Sequence, residues 1–456
     1  MQKTRTNWSS RLGFILVTAS ATIGFGNIWR FPYLVGENGG GAFVLVFLLC
    51  VLLIGLPLVM AEMVIGRHSS KNIIDTFRIK NSPKIFYYMG YIGIIAAFLM
   101  LSYYVVLAGW VSGYIGLISF GSLDLSVSHG ADYYAGFFKD FIAKPYLPLI
   151  FTAIYLFLNY IILVFDLKIG VERTSRYLVP LLFIIMFIMI VKSISLPNSF
   201  EGVKFYLSVD FSKISFNTFL IALGQTFFSL SIGYGTLITF SSYSDKKTSI
   251  TNVAIWVVIL DTLVAIMAGF IIFPAIFAFG MEPAAGSGLI FNVLPAVFAK
   301  MMWGDFFAII FFIILLIAAL TTSISVFEVI ITTLVEKLNI TRPKAALISI
   351  VGVFIFGSIP SSFSYGILDG IKIVGLNIFE AMDYLSGNIL FIFNGFIAAV
   401  FCGFILKDSA IKELLAHKYY DKNPLIFKLW HIGIKYVATT VIIIIFLTSL
   451  FFVSST

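Results

Sequence analysis

Long apolar runs separated by short polar stretches dominate the chain. A helix that crosses a bilayer needs about 20 largely apolar residues. Eleven runs approach or exceed that length: 12–35, 41–66, 86–120, 147–164, 171–192, 216–241, 251–279, 303–335, 345–359, 376–406 and 433–453. Several are longer than an upright helix requires, which predicts tilted or broken helices. The longest polar connections are 121–146, 193–215 and 407–430, and no soluble domain is visible between spans. The pattern predicts an all-α integral membrane protein of about 11 transmembrane helices, forming one domain over residues 1–456.

Composition agrees with that pattern. Of 456 residues, 60% are hydrophobic and 11% are charged, against about a quarter charged in soluble domains. This excludes a soluble enzyme, a disordered chain and a nucleic-acid-binding module. The net charge of +8 does not argue for nucleic acid, because the cations flank the spans. With the N-terminus placed in the cytoplasm, 22 of the 30 Lys and Arg fall in cytoplasmic segments. That asymmetry predicts a multi-pass protein of the plasma (inner) membrane, N-terminus inside and C-terminus outside. The first run is longer than a signal-peptide core and lacks a small-residue cleavage pattern, so it reads as a retained span.

The remaining composition narrows the chemistry. Cys50 and Cys402 lie inside apolar runs, and the four histidines are scattered, so neither a disulfide framework nor a metal-ligand spacing emerges. There is no Gly-x-x-x-x-Gly-Lys loop for ATP. A membrane-embedded enzyme should show clustered His, Asp and Glu or a Ser/His pair, a channel pore-lining repeats, and a receptor a sizeable ligand domain. The sequence shows none of these, which leaves a secondary active transporter rather than an enzyme.

Two places break the helical pattern. Span 1 contains Thr22-Ile23-Gly24-Phe25-Gly26-Asn27, and span 6 contains Ser229-Leu230-Ser231-Ile232-Gly233-Tyr234-Gly235. A helix interrupted in lipid must satisfy its freed N–H and C=O groups, so such breaks line cavities. Spans 1 and 6 correspond if the chain is two five-span halves (about 10–192 and 216–406) plus an extra helix at 433–453. Paired Gly interruptions at corresponding positions point to the binding site of an inverted-repeat transporter. Read singly, each glycine pair is equally consistent with close helix packing.

The stretch Gly24-Phe25-Gly26-Asn27-Ile28-Trp29-Arg30-Phe31-Pro32-Tyr33, with Glu37-Asn38-Gly39-Gly40-Gly41-Ala42-Phe43, resembles the neurotransmitter:sodium symporter family, in particular its bacterial amino-acid members with 11 spans. The likeness continues through Gly224-Gln225-Thr226-Phe227-Phe228-Ser229-Leu230-Ser231 and Leu320-Thr321-Thr322-Ser323. It implies the bacterial leucine-transporter-like fold, alternating access, no organic cofactor and two Na⁺ sites. The partners expected are an amino-acid substrate and the lipid bilayer; a monomer could suffice for function, and the sequence leaves the oligomeric state open. The first sodium site would use Thr22, Asn27, Ser229, Asp261 and the substrate carboxylate. The second would use the carbonyls of Ser20, Ile23 and Ala318 with the hydroxyls of Thr321 and Thr322. Without the resemblance, the Thr321-Thr322-Ser323 cluster could also be back-bonding within its helix, the lesser of the two readings.

Asp261 is the one acid in the run 251–279, and an ionisable group at that depth marks a functional site. Chloride-dependent relatives use a Tyr on span 2 and a Ser one turn after an Asn at the Asp261 position. Phe47 and Ala265 stand at those places here, so Asp261 is expected to supply the fixed negative charge and make transport chloride-independent.

The resemblance also places the substrate. An amino-acid carboxylate would dock on span-1 N–H groups around Ala21, Thr22, Gly24, Phe25 and Gly26, with Tyr104 donating its hydroxyl and Ser229 adjoining. Gly24 replaces the Asp of amine-transporting relatives, which favours an amino acid over a decarboxylated amine. The side-chain pocket would be Phe25, Met100, Phe228, Ser231, Tyr234, Ser325 and Val326, with Thr322 near the amine. Its apolar, aromatic character favours large hydrophobic or aromatic amino acids such as tyrosine, tryptophan or leucine. Arg30 and Asp383 would form the outer gate. Arg5 with Glu336, and Trp8 beside Ser242 and Tyr243, would close the cytoplasmic side. Gly170 and Pro180 mark a stretch of span 5 able to unwind. Glu62 is assigned a structural role, and the sequence gives Glu328 none.

Overall fold

The computed structural model describes residues 7–79, 82–127, 129–281, 286–415 and 424–452. Among these there is no strand, only an isolated bridge between Ile373 and Leu376. Eight helices are long and apolar enough to cross a membrane, and ten if each of two bent pairs counts as one span. The first bent pair is span 1: helix 1a, Arg11–Thr22, and helix 1b, Gly26–Glu37, meet at 55°. Span 6 falls outside that count because it is split into helix 6a, Phe216–Ser229, and helix 6b, Thr236–Ser241. Numbered after the runs predicted from the sequence, the other helices are Gly41–Ser69 (span 2), Phe86–Ser119 (3), Leu147–Leu163 (4), Lys168–Ile194 (5), Ile250–Ala278 (7), Gly304–Leu338 (8), Arg342–Phe363 (9), Ile378–Leu406 (10) and Leu425–Leu447 (11).

The polar connections hold more helix than their composition suggests. Residues 121–146 contain Ala131–Ala143, which meets span 4 at 75°. Residues 193–215 contain Ser199–Leu207, and 407–430 contain Asp408–Leu415 and the start of Pro424–Ile432. These segments lie on the bundle and bury one face each, so their apolar residues are too sparse to read as spans yet dense enough to dock.

Local chemistry explains both breaks. Ser10 caps helix 1a by accepting from the Gly13 N–H, and the helix ends where Ile23 turns extended, with ψ 107°. Span 6a starts on a capping box between Ser215 and Thr218. It ends where Ser231, Gly233 and Gly235 take positive φ. Gly233 is required twice over: its φ is +86°, and a Cβ there would lie 2.1 Å from the Phe391 carbonyl oxygen. The freed groups of Gly233 are satisfied from neighbouring spans. Its N–H donates to Glu62 Oε1 of span 2 (2.7 Å), and its carbonyl accepts from Asn394 Nδ2 of span 10 (2.9 Å). Glu62 is thus a cap for the unwound segment. Spans 3 and 8 pack along each other at the centre, while spans 5 and 11 are the most outward-facing.

Candidate substrate and sodium site

The two breaks are tied to each other. Ser231 Oγ donates to the Ala21 carbonyl (2.9 Å), and Gln225 Nε2 donates to the Gly26 carbonyl (2.7 Å). On the span-1 side, the Gly24 N–H donates to Asn27 Oδ1 (3.0 Å) and the Phe25 N–H to the Tyr104 hydroxyl (3.4 Å). The Phe25 and Tyr104 rings lie 4.9 Å apart. Gly24 is walled in: a Cβ there would sit 2.6 Å from Thr322 Oγ1 and 2.9 Å from the Tyr104 hydroxyl oxygen.

Span 7 brings Asp261 to the same place, fully buried. Asn27 Nδ2 donates to Asp261 Oδ1 (3.0 Å), to the Asp261 carbonyl (3.1 Å) and to Ser229 Oγ (2.9 Å). Ser229 in turn donates to Asp261 Oδ2 (2.6 Å). Asn27, Ser229 and Asp261 therefore form one hydrogen-bonded cluster in which the Asn27 amide nitrogen and the Ser229 hydroxyl donate to a buried carboxylate. The Thr22 hydroxyl donates back to the Ala19 carbonyl (3.0 Å).

A second oxygen cluster lies between spans 1 and 8. Thr322 Oγ1 donates across to the Ile23 carbonyl (2.8 Å). Thr321 does what a threonine in an apolar helix commonly does, donating to the Ile317 and Ala318 carbonyls at 3.1 and 3.0 Å. Ser20 Oγ donates to the Val17 carbonyl (2.7 Å) and meets Ser175 Oγ of span 5 at 2.8 Å.

Phe25, Tyr104 and Phe228 line a cavity of about 150 Å³ together with Trp29, Arg30, Tyr33, Tyr103 and Asp383. Arg30 and Asp383 line this one cavity. Among the described residues no ion pair within 4.0 Å joins them, and the Arg30 guanidinium instead lies 4.7 Å above the Phe228 ring. Met100, Ser231, Tyr234, Ser325 and Val326 are buried and lie outside its lining. Ser325 donates to the Thr321 carbonyl (2.7 Å), and Tyr234 stacks on Phe391 at 3.8 Å.

At the N-terminal face, Trp8 Nε1 donates to the Phe240 carbonyl (2.9 Å), and its ring packs on Phe14, Phe240 and Tyr243. Arg5 lies outside the described residues. Glu336 accepts from the Asn72 N–H (3.2 Å) and from Asn72 Nδ2 (2.9 Å). Beside it Lys337 Nζ pairs with Asp75 at 2.6 Å. Partial burial opposes ionisation of Asp75, but hydrogen bonds from Lys337 and Asn72 outweigh it and hold the carboxyl below its ordinary range.

Like Lys337–Asp75, two further ion pairs have no counterpart among the expectations from sequence. Arg342 grips Glu328 with both guanidinium ends (2.9 and 2.6 Å), while its Nε donates to the carbonyls of Leu163 and Phe165. Thr332 donates to Glu328 and also meets the Tyr243 hydroxyl at 2.7 Å. Arg67, buried, binds Glu413 through Nε (3.0 Å) and the Thr248 carbonyl through Nη1 (2.6 Å). Their signal was an acid inside an apolar helix for Glu328. For Arg342 and Arg67 there was none, since both read as ordinary flanking cations.

The family model of the sodium:neurotransmitter symporters matches residues 5–130 and 144–456. The chain belongs to the sodium:neurotransmitter symporter family. It is 45% identical to an uncharacterized sodium-dependent transporter of Haemophilus influenzae, over 98% of this chain and 99% of that one. It is 35% identical to another from Bacillus subtilis, over 96% of each. The crystal structure of MhsT in complex with L-phenylalanine superposes with a TM-score of 0.87 at 38% identity, covering 98% of this chain and 100% of that one. The symporter is thus a multi-pass, sodium-dependent membrane transporter with the MhsT fold.

Proposed function

We propose that this symporter imports a neutral, large hydrophobic or aromatic amino acid with Na⁺ and without a need for chloride. The observation that carries the reading is the enclosure of Gly24 by Thr322 and Tyr104. No acidic side chain fits there, so nothing from the protein pairs with a lone amine. The charge facing sodium must come from the substrate carboxylate and from Asp261. The N–H groups of the span-1 break and the Tyr104 hydroxyl supply donors for that carboxylate. MhsT, similar along its whole length, was crystallised with L-phenylalanine, which supports an apolar, aromatic side-chain pocket on Phe25 and Phe228.

Na⁺ acts as co-substrate at two sites. At the first, the Asn27 amide and the Ser229 hydroxyl already converge on the Asp261 carboxyl, donating hydrogen bonds to it. The Asp261 carboxyl would supply beside Na⁺ what a bound chloride supplies in chloride-dependent relatives, and Phe47 and Ala265 offer a chloride no hydroxyl. At the second, the Ile23 and Ala318 carbonyls lie against Thr322 and Thr321, and Ser20 adjoins. Arg30 and Asp383 gate the outer cavity. Trp8, and Arg5 with Glu336, close the cytoplasmic side, with the two five-span halves rocking about the site. Uptake of a twenty-amino-acid panel into proteoliposomes, with and without a Na⁺ gradient, tests this. Preference for small or charged amino acids, or for amines, contradicts it.

A further inference from the structure

Spans 10 and 11 run antiparallel, and both are wound as π-turns where they meet: Phe401–Leu406 and Gly433–Ala438. Such turns are rare and gather at functional sites. Gly403 permits the close approach, since a Cβ there would lie 2.9 Å from the Lys435 Cα. The meeting point lies near the N-terminal face of the bundle. Span 10 ends at Leu406, and the helix that follows it, Asp408–Leu415, is held there by Glu413 on Arg67 at the end of span 2.

The Lys435 stem lies on Gly403, and its Nζ rests 5.0 Å from the Phe404 ring centre and 5.1 Å from that of Tyr436. Both rings are exposed on the outside of the bundle. They attract the ammonium but leave its three N–H donors without a strong acceptor. Two further cations flank it. Lys407 follows span 10, three residues past Phe404, and Lys428 precedes Lys435 by two turns, about 10 Å along the helix. Both are exposed. Among the described residues none of the three lysines has a carboxylate within 4.0 Å. Residues 424–452 contain no Asp or Glu, Glu413 is taken by Arg67, and Asp408 is the one acid adjoining Lys407 in the chain. Exposed Leu425, Leu429 and Ile432 complete an apolar surface beside these charges. Extension of the side chain to water accounts for Lys407 and Lys428. It does not account for Lys435, whose amine is held on two rings level with the last turn of span 10.

We propose that Lys407, Lys428 and Lys435 bind the phosphate of an anionic phospholipid whose acyl chains lie along the seam between spans 10 and 11. Basic pockets between membrane helices recognise such headgroups, and the phosphate oxygens supply the acceptors that Lys435 lacks. The test is native mass spectrometry of the purified full-length protein with added phosphatidylglycerol, and phosphatidylcholine as the zwitterionic reference. Size exclusion first establishes that each variant is folded. Phosphatidylglycerol binds the wild-type protein at least about fivefold more tightly than phosphatidylcholine. Lys435→Gln weakens that binding about fivefold, the worth of one basic residue at an anionic membrane surface, and Lys435→Arg retains it. The triple variant Lys407→Gln, Lys428→Gln, Lys435→Gln binds the two lipids alike. Lys84→Gln, which removes an exposed cation between spans 2 and 3, leaves binding unchanged. The inference is overturned if phosphatidylglycerol has no advantage over phosphatidylcholine, if the triple variant keeps that advantage, or if Lys84→Gln costs as much as Lys435→Gln. Displacement of the lipid by an equal concentration of glycerol phosphate would show a site for soluble anions and overturn it too.

Discussion

Ser229 donates its hydroxyl to Oδ2 of Asp261 across 2.6 Å, joining the end of helix 6a to the middle of span 7. The bond puts a carboxylate where an amide would leave the cluster without a full negative charge. Asp261→Asn should therefore cut sodium-driven uptake by roughly tenfold or more, the scale of a hydrogen bond to a charged group. Added chloride should not restore it. Restoration should require Phe47→Tyr and Ala265→Ser as well, and should then depend on chloride. Uptake measured in chloride and gluconate buffers separates these outcomes.

Gly24 has no room for a side chain. Gly24→Ala should abolish amino-acid binding while leaving the protein folded, because the added carbon meets Thr322 Oγ1 and the Tyr104 hydroxyl rather than the lipid-facing packing. Equilibrium binding of a labelled amino acid, alongside size-exclusion behaviour, checks both halves.

Glu328 and Arg342 form a buried, two-pronged pair that also holds the Leu163 and Phe165 carbonyls. Removing one partner strands the other, a loss of about 3–5 kcal/mol for a buried pair. Arg342→Ala should lower the thermal midpoint and open the N-terminal face. A cysteine placed at Tyr243 should then react faster with a water-soluble thiol reagent. The double variant Glu328→Gln with Arg342→Ala should recover part of the stability, because no unpaired charge remains.

Asp75 and Lys337 clasp the short helix Ile73–Thr76 to the end of span 8. The folded carboxyl titrates below its ordinary range, so the clasp contributes fully above that range and is lost as pH falls through the lowered value. Labelling of a cysteine at Lys71 should stay flat from neutral pH down to the ordinary carboxylate range and rise only below it. Asp75→Asn should remove that rise.

Much of the site was legible in the sequence because it consists of exceptions. Gly24, Gly26, Gly233 and Gly235 interrupt apolar runs, and Asp261 and Glu62 are acids inside them, so each is conspicuous against its background. The structure joins Asn27, Ser229 and Asp261 by hydrogen bonds and adds the partner of Glu62, the Gly233 N–H. What stayed hidden was pairing over long separations. Nothing in a run of flanking cations distinguishes Arg342, bound to Glu328, from Lys344, and nothing marks Glu172 as the partner of Ser9. The hydropathy of span 6 is continuous from 216 to 241, so its break is legible only in Ser229–Gly235, where the structure ends helix 6a and resumes at Thr236. The helices within the connections were missed because each buries only one short face.

The most direct test of the central claim is accumulation of labelled L-phenylalanine, L-tyrosine, L-tryptophan and L-leucine in proteoliposomes under an inward Na⁺ gradient, with chloride replaced by gluconate. The account predicts uptake of at least one of them above equilibrium, collapse on adding a Na⁺ ionophore, and no loss when chloride is absent. Uptake that needs chloride, or that persists without a Na⁺ gradient, would contradict it.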